Sequence, residues 1–267
     1  MRAEEIAMTR LSLTARVGVA LVGGLALAAI ATREGKAAEV KVLTSVALTS
    51  ALNELAPQFE GATGNKLTVD YGLIVDIRKR VLEGESADVI ILSRPAMDEL
   101  QKQDKLAPDP ITNVVGTAVS VAARSGAPKP DISSVDALKR SLIAAKSIVY
   151  ADPAKGGASG VYFARVLDRL GIAEQMKSKT ILVPGAQAAD VVAKGEAELG
   201  VAQASEIVPV AGAQLVGPLP GEYASMTVFA AGIGAGAKAP DSAKALIQFL
   251  TGPTAAPVFR SKGFEPG

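Results

Sequence analysis

From Glu39 to the C-terminus the chain alternates two kinds of segment, and this alternation limits the possible folds more than any other feature. Apolar runs of strand length (40–44, 67–71, 87–93, 147–151, 180–183 and 199–203) are separated by stretches whose apolar residues recur every three or four positions. The stretch 47–62 carries Leu48, Ala51, Leu52, Leu55 and Phe59 on one helical face, and 73–83 carries Ile74, Ile77 and Val81. Pro95, Pro240 and Pro253 stand where helices start, and Gly64, Gly84 and Gly171 where they end. The continuous run ADVIILS at 87–93 suits a strand buried on both faces. Such an order predicts an α/β fold with a mixed sheet covered by helices on both sides. Two longer apolar strands, 114–123 and 226–233, bracket the middle third, so the chain can cross into a second lobe on one and return on the other. The stretch 209–220, broken by proline and glycine, reads as irregular.

Composition removes whole classes of chemistry. The 267 residues include no Cys and no His. A disulfide, a thiol nucleophile, a Ser-His-Asp triad and a His-bearing zinc site are therefore excluded, and no cofactor is expected. Residues 1–38 hold five basic and three acidic side chains, which leaves 23 basic and 24 acidic over the remaining 229 residues. A body this close to neutral carries no basic footprint for nucleic acid.

The N-terminal segment has its own pattern. Arg10 and Arg16 precede the 15-residue apolar run VGVALVGGLALAAIA at 17–31, and small residues follow it. The run fits the apolar core of a signal peptide and is short for a spanning helix. Cleavage is expected after Ala31 or near Ala37 and Ala38, giving a signal peptide over 1–38 and an exported product.

Four stretches carry a family resemblance: VKVLTSVALTSALNELAPQFEGATG (40–64), RVLEGESADVIILS (80–93), YADPAKGGASGVYFARVLDRLGI (150–172), and GEAELGVAQASEI (195–207) with GPTAAPVFRSKGF (252–264). Together they resemble the molybdate-binding-protein-like group of periplasmic solute-binding proteins. The resemblance implies the two-lobed type II periplasmic-binding-protein fold, each lobe a central mixed sheet flanked by helices, with two crossover hinge strands. Lobe one is expected over 39–121 and 229–267 and lobe two over 122–228. It also implies a monomer that binds a small anion between the lobes and hands it to the membrane permease of an ABC importer.

The ligand loops depart from the molybdate pattern. Ala47 stands where a ligating Ser is expected, Leu73, Ile74 and Val75 replace a Ser run, and Gln203 replaces a Tyr. These changes favour a carboxylate over molybdate. The expected ligand set is Thr44, Ser45, Arg78, Ser159, Gly160, Gln187 and Gln203, with Arg78 as the charged member. Arg94, Tyr71 and Tyr223 are further residues that the cleft can draw on. The alternative on the same scaffold is an aconitate isomerase, interconverting cis- and trans-aconitate without a cofactor. Its base would come from Lys155, Asp76, Glu206 or Tyr162, and no pattern singles one out.

Overall fold

The computed structural model describes residues 37–267, so the proposed signal peptide lies outside the described residues except for its last two positions. The first section of sheet begins with β1 (Glu39–Ser45), α1 (Thr49–Thr63), β2 (Lys66–Gly72), α2 (Ile74–Leu82), β3 (Val89–Ser93) and α3 (Arg94–Lys102). The 13-residue β4 (Thr112–Arg124) follows. The second section contains α4 (Val135–Ala144), β5 (Ile148–Ala151), α5 (Ala158–Arg169), α6 (Ala173–Met176), β6 (Thr180–Val183), α7 (Ala188–Lys194), β7 (Leu199–Gln203), α8 (Ala204–Ile207) and β8 (Ala213–Pro218). The chain then returns through β9 (Met226–Ile233) to α9 (Pro240–Leu250), α10 (Ala255–Ser261) and the short β10 (Glu265–Pro266).

Strand order is β2-β1-β3-β9-β4-β7-β5-β6, with β8 and β10 also pairing with β4. The strands joined by helical crossovers, β1 with β2 and β3, and β5 with β6 and β7, run parallel. The two long strands pair antiparallel, from Thr112 opposite Ala231 to Ala118 opposite Met226. Beyond Ala118, β4 changes partners: Val119–Ala123 pair with β7 and Ser120–Arg124 with β8. One strand thus belongs to both sections of sheet.

Each section has a core on both faces. In the first, Leu48, Leu55, Phe59, Phe229, Leu246 and Phe259 pack on one side, and Leu43, Ile77, Ile90, Met97 and Leu100 on the other. In the second, Leu138, Phe163, Val166 and Tyr223 cover one side, and Val149, Ala189, Val192 and Ile207 the other. The strand over Ala213–Pro218 departs from the irregular reading of 209–220. Its pairing with β4 is interrupted by a register shift beside Gly217, whose φ of 158° and flanking Pro218 mask the strand signal.

Asp88 fastens the first section together. Its carboxylate is buried and accepts the backbone N–H of Lys41 on β1 at 2.8 Å, and those of Lys238 and Ala239, just before α9, at 2.6 and 2.8 Å. The Asp of the GESAD stretch is therefore a backbone fastener between β1, β3 and the start of α9. Asp88→Asn turns one of these acceptor oxygens into a donor facing an N–H. It should cost about 1–3 kcal/mol in urea unfolding. Glu99→Gln, which weakens a half-buried pair with Arg78, should cost about 1 kcal/mol.

Candidate functional site

Four chain turns meet where the two sheet sections adjoin. Ser45–Ala47 follows β1, Leu73–Ile74 opens α2, Gly156–Ser159 opens α5, and Gln203–Glu206 joins β7 to α8. Their residues, with Ala151, Gly185 and Phe229, line a narrow cleft with about 20 Å³ open to a water molecule, the space of little more than one water. Open α/β sheets form such crevices at the carboxyl ends of parallel strands, and β1, β5 and β7 all end here.

The local chemistry is that of neutral donors. The α5 helix begins after Gly157 with no side-chain cap, which leaves its first N–H groups open toward the cleft end. Ser159, 4% exposed, stands in that first turn. Gly160 behind it is held to glycine by packing, since a Cβ there would lie 1.9 Å from the Ala151 carbonyl oxygen. The Ser45 hydroxyl accepts the Ala47 N–H at 3.3 Å, fixing the 3-10 turn Val46–Leu48. The Gln203 side chain is 2% exposed and donates to the Thr227 hydroxyl at 2.9 Å, while its other amide atom has no partner. Ala47, Leu73, Ile74 and Phe229 make the rest of the wall apolar.

The residues expected from sequence fall into three groups. Ser45, Ser159 and Gln203 share the cleft. Thr44 and Gly160 stand behind it: the Thr44 hydroxyl is fully buried and donates to the Ile91 carbonyl, tying β1 to β3. Arg78 and Gln187 are not among the lining residues. The Arg78 guanidinium is drawn to Glu99 on α3, at 2.6 Å, and Gln187 is exposed at the start of α7. Arg94 likewise pairs with Asp98 and Asn113, Tyr71 with Asn53, and Tyr223 lies under Arg169 at 4.5 Å. Of the acid-base residues weighed, Lys155 and Asp76 are exposed outside the lining, and the Tyr162 hydroxyl donates to the Tyr223 carbonyl.

Glu206 is the ionisable side chain of the cleft wall. Its carboxylate accepts the Gln203 backbone N–H at 3.2 Å, at the Q-x-x-E spacing of a capping box. That spacing is the one signal in the sequence that ties Glu206 to the strand end. Burial pushes its carboxyl up to about 7, against the Gln203 N–H that draws it down.

A carboxyl whose folded value lies above its unfolded one binds an extra proton in the folded state. Stability from this group is greatest below the unfolded value and falls as pH rises toward about 7. Glu206→Gln, neutral at every pH, should therefore melt higher than the parent protein at pH 8. The gap should close by about pH 4, which melting scans across the range will show.

The comparisons with known proteins fit this geometry. Residues 40–265 match the family model of the bacterial extracellular solute-binding proteins. The chain is 34% identical over 231 residues to an aconitate isomerase from Pseudomonas sp., covering 84% of this chain and 87% of that protein. It is 31% identical over 258 residues to the molybdate-binding protein ModA of Azotobacter vinelandii, covering 93% and 96%. The solved periplasmic molybdate-binding protein of Azotobacter vinelandii superposes with a TM-score of 0.69 at 20% identity, over 85% of this chain and 99% of that one. The fold is the two-lobed one of periplasmic binding proteins, and the chain belongs to the bacterial extracellular solute-binding protein family.

Proposed function

We propose that this protein is an exported receptor that closes on a small carboxylate anion and delivers it to the permease of an ABC importer. The observation that carries this reading is the lining of the cleft, in which the neutral donors Ser45, Ser159, Gln203 and the α5 N–H groups are interspersed with apolar side chains. A tetrahedral oxyanion of molybdate type has four oxygens to satisfy and no carbon to bury. With Ala47, Leu73 and Ile74 in the wall, oxygens left without donors would cost about 1–3 kcal/mol each. A carboxylate has two oxygens for the α5 N–H groups, Ser45 and Ser159, and a carbon skeleton for the apolar wall. In this reading residues 39–121 and 229–267 form one lobe and 122–228 the other, with β4 and β9 as the hinge.

A second reading is supported by Glu206 and by the 34% identical aconitate isomerase. Interconverting cis- and trans-aconitate moves a proton on and off carbon next to a carboxylate. A cleft carboxyl that exchanges its proton near neutrality suits that task without a cofactor.

In a thermal-shift screen, di- and tricarboxylates should raise the melting temperature while molybdate, tungstate and sulfate leave it unchanged. A hundredfold excess over Kd corresponds to about 2.7 kcal/mol of stabilisation. Gly160→Ala, which forces the α5 start away from Ala151, should weaken carboxylate binding by about tenfold or more. Chromatography of cis-aconitate incubated with the protein separates the two readings: a trans-aconitate product supports the isomerase, and unchanged substrate the receptor.

A further inference from the structure

An acidic side chain is an unexpected wall for an anion site, and its surroundings make it more so. The elements packed against α8 are β4, β7, β8 and the turn Val46–Leu48. Between them they carry one charged side chain, Arg124, which stands at the end of β4 beside Gly195. From the C-terminal side, the Gly263 backbone reaches Ala204 and Val208, and the neighbouring Lys262 is paired with Glu54 at 2.9 Å. On the opposite wall the nearest charged residues in sequence, Asp76 and Lys155, are exposed and outside the lining. Among the described residues Glu206 forms no ion pair. Its Oε2 accepts the Gln203 N–H, which turns the carboxyl toward the strand end, and the residue lines the cleft. Beside it the Gln203 amide, itself buried, presents an atom with no partner in the chain.

We infer that Glu206 is a ligand-binding residue that acts as a neutral carboxylic acid, donating its O–H to an oxygen of the bound anion, so that each anion is captured together with one proton. The inference rests on the reading of the cleft as a carboxylate site. An ionised Glu206 against a ligand carboxylate would place two like charges in a desolvated space with no cation to offset them, an arrangement that raises the proton affinity of the pair. The protonated acid removes the repulsion and supplies a donor where the apolar wall has none. Burial, offset in part by the Gln203 N–H, already brings the group to about 7, so the extra proton is within reach of ordinary conditions. The chain has no His and no Cys, so no such side chain competes as the titrating group around neutrality.

The test is calorimetric titration of the purified protein with trans-aconitate, read from about pH 7.5 upward, above the range in which the last of its three carboxyls, raised by the charge of the other two, still holds a proton. Over that range Kd should rise about tenfold per pH unit. At pH 8 the dependence of the heat on buffer ionisation should report close to one proton taken up per ligand. Glu206→Gln keeps a neutral donor and the capping acceptor, so it should bind with a flat profile and take up no proton. A flat profile without proton uptake in the parent protein overturns the role of Glu206 and leaves the carboxylate site standing. A slope that survives in Glu206→Gln does the same. Should that variant not fold, the slope and the proton count of the parent protein decide alone. Absence of binding to trans-aconitate at every pH overturns the inference, and absence with the whole carboxylate panel overturns the site as well.

Discussion

Everything about the cleft depends on β4 pairing with two different sets of strands along one run of 13 residues. Its first half is held by β9 and β10, its second by β7 and β8. A buried strand must satisfy every N–H and C=O it carries, so the change of partners at Ala118–Val119 is also the boundary between the two sections of sheet. Because β9 returns alongside β4, the sections are joined by two antiparallel strands, the minimum that fixes their direction while leaving a bend available. The ends of β1, β5 and β7 then face one another across that boundary.

The site follows from what those ends carry. Each is a strand passing into a helical turn; the Ala47 and Ser205 N–H groups are taken by the Ser45 and Thr117 hydroxyls, the first N–H groups of α5 have no side-chain cap, and no lysine or arginine is among the lining residues. The remaining wall, Phe229 included, is apolar. Such a space is selective through shape and hydrogen bonding more than through charge. The one charge-bearing group that lines it, Glu206, changes the electrostatics with its protonation state. Gly160 shows how tightly the arrangement is built: the α5 helix sits directly on the Ala151 carbonyl, so its open N-terminus cannot shift without disturbing β5.

The alternation of apolar runs and helical periodicity foretold most of the elements because both periods are local. The strands 180–183 and 199–203 lie where the apolar runs put them. The strand Ala213–Pro218 was hidden because its pairing depends on a distant strand and its ends carry Gly217 and Pro218. The site was legible in the same partial way. Ser45, Ser159 and Gln203 stand at strand ends or helix starts, which sequence locates well. The partner of Arg78 was not legible, since Glu99 comes from another helix 21 residues on. The Thr44 hydroxyl is taken by a carbonyl 47 residues away, which no spacing reveals. The Glu206 carboxyl owes its elevated proton affinity to burial, and burial is a property of the whole fold.

A crystal structure of the protein with trans-aconitate tests the central claim most directly. The account predicts ligand density in the cleft, with one carboxylate on the α5 N–H groups and the Ser45 and Ser159 hydroxyls, and a further oxygen within about 3 Å of Glu206 Oε1. Density at the Arg78–Glu99 pair, or in another cavity with the cleft lined as before, would contradict it.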